Sequence, residues 1–382
     1  MSIANIPEKV KIRLWGHAAG RGEYEGCNQP LWLDTLTQVE FNTAYIAHII
    51  ADRPDGPRGD AVLSEVLKDK ISNLMLLCDV HHRLIDKEDI GGHPVERLRR
   101  MKSSHESRIE LVSSLAADKQ SHVLLYGANI GELSSPVSFQ KATEAMLPER
   151  YPAEPQAISL GMKNSSAMDH DPEFWEAESR HLRAMFTRYV EPRLADGSIQ
   201  HLSVFAAAPQ PLLMHLGALL SDIPAADIYQ LHREPVTWRW QPLSDDSGLQ
   251  IEEPANLDGP PALVMSLSAT ITVDRIAAVL ENPTIWLVTI SRPNNDFLKS
   301  REQAEEFRRT VRVLLDRIKS RHGTDSSIHV FPAMPVALAV ELGRIIMPKA
   351  DLPLHIYDEN RARGGFEYAL TVPGGTPITR DP

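Results

Sequence analysis

Between Tyr45 and Asp86 the sequence gathers a histidine in AHII, an asparagine ahead of an apolar run (SNLMLLC), and the cluster CDVHHRLID. Hydrolysis of a phosphate ester needs a base that exchanges protons near neutrality, and histidine is the natural choice. It also needs a divalent cation to steady the charge on a phosphate oxygen and on the leaving oxygen. His82 and Asp86 stand four residues apart, so on one helical turn they face the same way and could share a metal. A histidine plus a carboxylate, with positions left for water and phosphate, suits Mg²⁺ better than it suits a closed structural site.

The elements that must carry these groups read as strand, loop and helix within roughly a hundred residues, a domain-sized unit. Residues 30–50 are rich in Thr, Val, Tyr and Ile and predict short strands with a turn. The polar loop DRPDGPRGD follows. ISNLMLLCDVHHRLIDKED runs from an apolar stretch into a helical start, and Val95–Leu115 has helical spacing. The expected fold is an α+β domain over residues 1–116. Residues 117–158 are expected as a linker and the start of a second domain over 159–382. There, apolar strands (HLSVFAAA, ADIYQLH, ALVMSLSAT, TIWLVTIS, SIHVFPAMP, LPLHIYDE) alternate with amphipathic helices. That alternation predicts an α/β domain of two Rossmann-like halves, split near 245–260.

The 382-residue length calls for more than one core, and 42% hydrophobic with 24% charged residues is globular composition. No run is long enough to span a bilayer, so a soluble, cytoplasmic protein is expected. Two cysteines, Cys27 and Cys78, make no disulfide framework. The net charge of −11 argues mildly against nucleic acid as a partner. The imbalance is uneven: residues 1–118 carry 15 basic and 18 acidic side chains, leaving 25 and 33 for the remainder. Arg97, Arg99, Arg100 and Lys102 cluster as a patch that could hold a duplex, or form a solvated helix face.

The order AHII…N…LCxxHHxxxD resembles the HNH endonucleases of the ββα-metal fold. The resemblance implies that His48 is the general base, Asn73 braces the loop presenting it, and His82 and Asp86 hold the catalytic metal. Ala47 stands where some relatives carry a further metal ligand. Many HNH domains also hold structural Zn²⁺ through two Cys pairs. Here Cys27, Cys78 and His81 would supply three ligands, and the cysteine expected just before Cys27 is absent. His17, Glu23 or Glu25 would replace it, or the zinc is absent.

Nothing in residues 160–382 matches a second catalytic motif. Two strands end in Pro-containing loops that open helices, FAAAPQPLLMHLG and FPAMPVALAVELG, where exposed backbone N–H groups could bind anions. With NIG near Asn129, ERYP near Tyr151 and TWRWQP, these loops resemble the SAVED domain, two fused CARF-like halves that recognise cyclic oligonucleotides. HNH joined to SAVED looks like the effectors of CBASS, the bacterial anti-phage system. The resemblance implies a bacterial endonuclease of little sequence preference that degrades double-stranded DNA. A cyclic di- or trinucleotide would activate it, a cyclic dinucleotide such as a cGAMP isomer being favoured, with homo-oligomer assembly on activation. The alternative is a ligand-binding regulator whose HNH module does no chemistry; a sequence-specific restriction enzyme is the weaker option.

Side-chain chemistry then nominates a ligand pocket. Trp238 and Trp240 stand two residues apart on a strand-like segment. One could stack on a base, as could Tyr357. Arg233 and Arg292 could meet phosphates. Gln210 sits in the first Pro loop, and Lys299 opens a helix beside Arg301.

Overall fold

The run Leu74–Cys78 is apolar at every position because both of its faces are covered. Leu74, Leu76 and Cys78 pack with Leu14 and Leu31, while Met75 and Leu77 pack with Ile85, Leu98 and Met101. A strand buried on two sides loses the polar alternation of a half-exposed one. The computed structural model describes residues 6–129, 137–162, 168–171, 173–242, 248–360 and 364–373. The chain divides into two units, Met1–Ala116 and Ala117–Pro382.

In the first unit, α1 (Glu8–His17) is followed by β1 (Ala44–His48), the short α2 (Leu63–Leu67) and β2 (Leu74–Cys78). Then come α3 (Asp79–Arg83), a π-helical turn over Leu84–Glu88, and α4 (Val95–Ser113). β1 and β2 pair antiparallel, with His48 opposite Leu74 and Ala44 opposite Cys78. α1 contributes Leu14 to one face of this ribbon, and α4 contributes Leu98 and Met101 to the other. The strands expected from residue 30 begin only at Ala44. Asp34 accepts hydrogen bonds from the Leu36 and Thr37 backbone N–H groups, a side-chain turn that ends any extended run there. Only the isolated bridges Arg21–Pro30 and Leu33–Glu40 remain. The expected basic patch is also divided. Arg99 and Arg100 are exposed, but Lys102 is buried with Glu106 at 2.6 Å and Glu23 at 3.6 Å.

The second unit holds two parallel-sheet halves. The first comprises β3 (Gln120–Gly127), α5 (Phe139–Met146), β4 (Tyr151–Pro152), β5 (Ile158–Ser159), α6 (Phe174–Tyr189) and α7 (Glu191–Ala195). It continues with β6 (Leu202–Ala207), α8 (Gln210–Leu220), β7 (Ala226–Tyr229) and a small hairpin, β8 (His232–Arg233) with β9 (Val236–Thr237). Its strand order is β4-β3-β6-β7, all parallel, with β5 also on β3. Residues 117–158 thus supply an inner strand of this sheet.

The second half runs through β10 (Gln250–Glu252), β11 (Pro261–Ser266), α9 (Val273–Ala277), β12 (Thr284–Thr289) and α10 (Arg301–His322). β13 (Ile328–Ala333), α11 (Val336–Arg344), β14 (Leu354–Asn360) and β15 (Gly365–Val372) complete it. Its order is β10-β12-β11-β13-β14-β15, parallel except for the antiparallel outer strands β10 and β15. The split expected near 245–260 falls just ahead of β11, partly on residues outside those described.

Each half sends one equivalent helix to the join. Pro209 and Gly217 of the first are eight residues apart, as are Pro335 and Gly343 of the second. α8 and α11 cross at these glycines: a Cβ on Gly217 would lie 2.0 Å from the Val340 carbonyl oxygen, and one on Gly343 would lie 2.0 Å from that of Met214. The contacts are reciprocal, as about a two-fold axis. One apolar cluster runs through both halves, from Leu124 and Val204 to Met265, Val330 and Leu354. Among the described residues no helix is long and apolar enough to cross a membrane.

Because backbone carbonyls form the wall, Gly217→Ala forces the two helices apart. Thermal and denaturant unfolding should show a loss of roughly 1–3 kcal/mol, the usual cost of overpacking. Gly16→Ala, which meets nothing within 4 Å, should be neutral or stabilising.

Candidate functional site

β1 delivers His48 to the end of the ribbon, where its side chain is nearly buried. Its Nε2 lies 2.8 Å from the Lys68 carbonyl oxygen. A carbonyl only accepts, so Nε2 carries the proton in the neutral ring and the lone pair sits on Nδ1. Asn73, just before β2, holds the chain beyond His48 by both ends of its amide. Oδ1 accepts from the Ile50 N–H at 2.8 Å, and Nδ2 donates to the Ile50 carbonyl at 2.8 Å and the Leu67 carbonyl at 3.3 Å. Its backbone carbonyl also accepts from the Ile49 N–H. Ala47 points into the core with Met75 and Leu77, which removes it from any ligand set.

His82 and Asp86 come together as their spacing predicts, with Nε2 and Oδ2 3.4 Å apart. Adjacent ligands on an octahedral Mg²⁺ sit about 3 Å apart, so the pair fits one ion with open positions for water and phosphate. Tyr45 stacks on the His82 ring at 4.9 Å. Burial pushes the His82 imidazole down from its ordinary value, against the pull of the Asp86 carboxylate, and thus favours the neutral ring a metal needs. A residue not singled out in the sequence completes the group. The Arg58 guanidinium, 6% exposed, reaches Asp86 Oδ1 at 2.6 Å and the carbonyls of Ile49, Ile85 and His48 at 2.8, 2.7 and 3.2 Å.

A second set lies alongside. Cys27 Sγ, Cys78 Sγ and a ring nitrogen of His81 all fall within 4.8 Å of one another, and Cys78 Sγ is 3.1 Å from His81 Nδ1. Two thiols and an imidazole are the donor set tetrahedral Zn²⁺ takes, with a fourth position left over. None of the three expected substitutes joins it. His17 faces Glu106 and Glu25 faces Arg97, each at 3.6 Å, while buried Glu23 accepts from the Leu76 N–H. Burial pushes the Glu23 carboxyl up to about 7. Three residues before Cys27 stands Tyr24, whose ring stacks on His81 at 4.1 Å and whose hydroxyl meets His93 Nε2 at 2.9 Å.

In the second unit, two glutamines reach the second Pro loop. Gln210 Oε1 accepts from the Met334 N–H and Gln230 Oε1 from the Ala337 N–H, both at 3.2 Å. A cavity of about 480 Å³ lies at TWRWQP, lined by Lys141, Glu144, Leu231, Trp238, Trp240 and Gln241 among others. Both tryptophans border it. Trp238 is buried edge-on to Phe205, and Trp240 sits edge-on to His232.

Beside the cavity, Arg233 and Lys299 converge on Asp296. The Arg233 backbone N–H donates to Asp296 Oδ1 at 3.2 Å, Lys299 Nζ bonds Oδ2, and the Gln241 N–H donates to the Lys299 carbonyl. Burial, reinforced by the Lys299 ammonium, pushes His232 down to about 4. Among the described residues both ring nitrogens of His232, Trp240 Nε1 and Gln241 Nε2 have no hydrogen-bond partner. Arg292 is exposed in the loop after β12. Tyr357 lies apart on the outer face of the second sheet, stacked on Phe331 at 4.6 Å with its hydroxyl 3.0 Å from His329 Nδ1. Of the NIG motif only Asn129 is among the described residues.

Two parallel-sheet halves joined through α8 and α11, with an aromatic-walled cavity at Trp238 and Trp240, make up this α/β unit. The family model described as "SMODS-associated and fused to various effectors sensor domain", SAVED, matches residues 182–372, from within α6 to the last residue of β15. The match spans half of the chain, and the chain belongs to the SAVED family.

No curated protein matches it. Among solved structures it is similar to the Acinetobacter baumannii Cap4 SAVED/CARF-domain containing receptor with the cyclic trinucleotide 2'3'3'-cAAA, at 12% identity and TM-score 0.44. That similarity covers 81% of this chain and 61% of that one. The same receptor with 3'3'3'-cAAA gives 13% and 0.43, covering 82% and 71%, and the Moraxella osloensis Cap4 receptor gives 10% and 0.40, covering 82% and 70%. The chain thus spans about three fifths of the first of these relatives.

Asn73→Ala would leave the Ile50 N–H without its side-chain acceptor inside a buried site. An unmet buried donor costs about 1–3 kcal/mol, so urea titration should show a loss of that size. Unchanged stability would mean Asn73 is not the brace.

Proposed function

We propose that this chain is a metal-dependent endonuclease of the HNH type that cuts double-stranded DNA with little sequence preference. A cyclic oligonucleotide bound to its SAVED unit would switch it on, as in CBASS anti-phage defence. The observation that carries the reading is the assembly of His48, Asn73, His82 and Asp86 about one β-β-α unit, in a chain that also holds a sensor domain. His48, through Nδ1, takes the proton of the attacking water as the new P–O bond forms and the bond to the leaving sugar oxygen breaks. His82 and Asp86 would hold the cation, which when bound would offset charge on the phosphate and leaving oxygens. Cys27, Cys78 and His81 would hold Zn²⁺.

The sensing site is the cavity at Trp238 and Trp240. Its aromatic wall offers a stacking surface, and the buried partnerless groups around it offer base-edge hydrogen bonds. The uneven charge motivates the gate: the cutting unit alone is near neutral, so it grips phosphate weakly until subunits assemble and multiply the contacts. The regulator reading, without chemistry, draws on Ala47, packed in the core, and on the absence of the cysteine expected before Cys27.

His48→Ala should lower plasmid cleavage at least 100-fold, the low end of general-base effects, while leaving cyclic-nucleotide binding by calorimetry unchanged. Equal cutting by the variant would remove the nuclease reading. Trp240→Ala should weaken ligand binding by about 1–3 kcal/mol, the size of a lost base stack. Metal analysis of the purified chain should find one zinc per chain, lost in Cys78→Ser; zinc-free wild type would remove that assignment.

A further inference from the structure

Arg58 occupies the centre of the first unit, although its segment, RPDGPRGD, reads as an exposed polar connection. The loop folds tightly around it. The Gly56 N–H donates to the Arg53 carbonyl, the Gly59 N–H to the Gly56 carbonyl, and the Ala51 N–H to the Pro57 carbonyl. A Cβ on Gly59 would lie 2.4 Å from the Pro54 carbonyl oxygen. Arg58 itself has φ +56, a left-handed backbone costing about 1–2 kcal/mol for an ordinary residue. Such strain persists where the surroundings hold the residue in place. What holds it is a buried guanidinium that spends its fork on four acceptors from two segments.

Two of these acceptors, the His48 and Ile49 carbonyls, belong to the strand end that carries the base. The other two, the Ile85 carbonyl and Asp86 Oδ1, belong to the π-helical turn that carries the metal carboxylate. π-helical turns recur at functional sites. We infer that Arg58 is a positioning residue that fixes the spacing of base and metal, and that it confines Asp86 to binding the cation through Oδ2 alone. The inference rests on the nuclease reading of His82 and Asp86.

Lysine keeps the charge but not the fork, so Arg58→Lys isolates geometry from electrostatics. In the full chain, Mn²⁺ binding followed by electron paramagnetic resonance, well below the unfolding midpoint, should weaken 10- to 100-fold in Arg58→Lys, the usual effect of losing a ligand's supporting contact. Binding within twofold of wild type would overturn the role of Arg58. His82→Ala and Asp86→Ala separate the two claims. If they bind Mn²⁺ as wild type does, the metal site itself falls; if they lose it while Arg58→Lys does not, only the positioning role falls. Should the lysine variant fail to fold, the wild-type chain still decides. Arg58 side-chain nitrogen signals should shift on Mg²⁺ titration and saturate with the metal, and signals that stay unmoved would overturn the proposal.

Discussion

The crossing of α8 and α11 is the contact on which the second unit depends. Two glycines, each the only residue small enough to meet the other helix's carbonyl, set the helix separation and leave no play between the halves. From that follow the neighbouring Pro loops, the carboxamides of Gln210 and Gln230 that tie into the start of α11, and the apolar cluster common to both sheets. Interiors packed this closely move as bodies rather than deform. At one edge, in the β8–β9 hairpin, His232 keeps both ring nitrogens without a hydrogen-bond partner.

The first unit solves a comparable problem with hydrogen bonds rather than steric fit. Its two-stranded ribbon is too small to hold a site rigid by itself, and the 25 residues between β1 and β2 give it no further strands. Asn73 fixes the chain leaving His48, and Arg58 fixes that same chain to the turn bearing Asp86. Asn73 acts through backbone groups alone and Arg58 through three backbone carbonyls and Asp86 Oδ1, so His48 Nδ1 and Asp86 Oδ2 stay uncommitted to either.

Much of this was legible from residue order. Apolar runs such as HLSVFAAA and ALVMSLSAT are strands because parallel strands are buried on both faces. His82 and Asp86 meet because four residues span a helical turn. What escaped reading depends on long-range partners. Arg58 looks like a loop arginine until Asp86, 28 residues on, is seen against it. Lys102 looks like surface charge until Glu23 is found buried beside it. Tyr357 belongs to a sheet face away from Trp238 and Trp240. The outer strands β10 and β15 carry weaker signals, since outer strands are short or half-exposed.

The central claim is that sensing and cutting are coupled in one chain. The direct measurement is the rate of supercoiled plasmid degradation by the purified full chain in Mg²⁺, titrated with a panel of cyclic di- and trinucleotides that includes cyclic triadenylates. The account predicts negligible cutting without ligand and a smear of fragments that appears, saturably, with one or two members of the panel. Cutting at the same rate with and without every ligand would contradict it, because the SAVED unit would then exert no control over the site at His48.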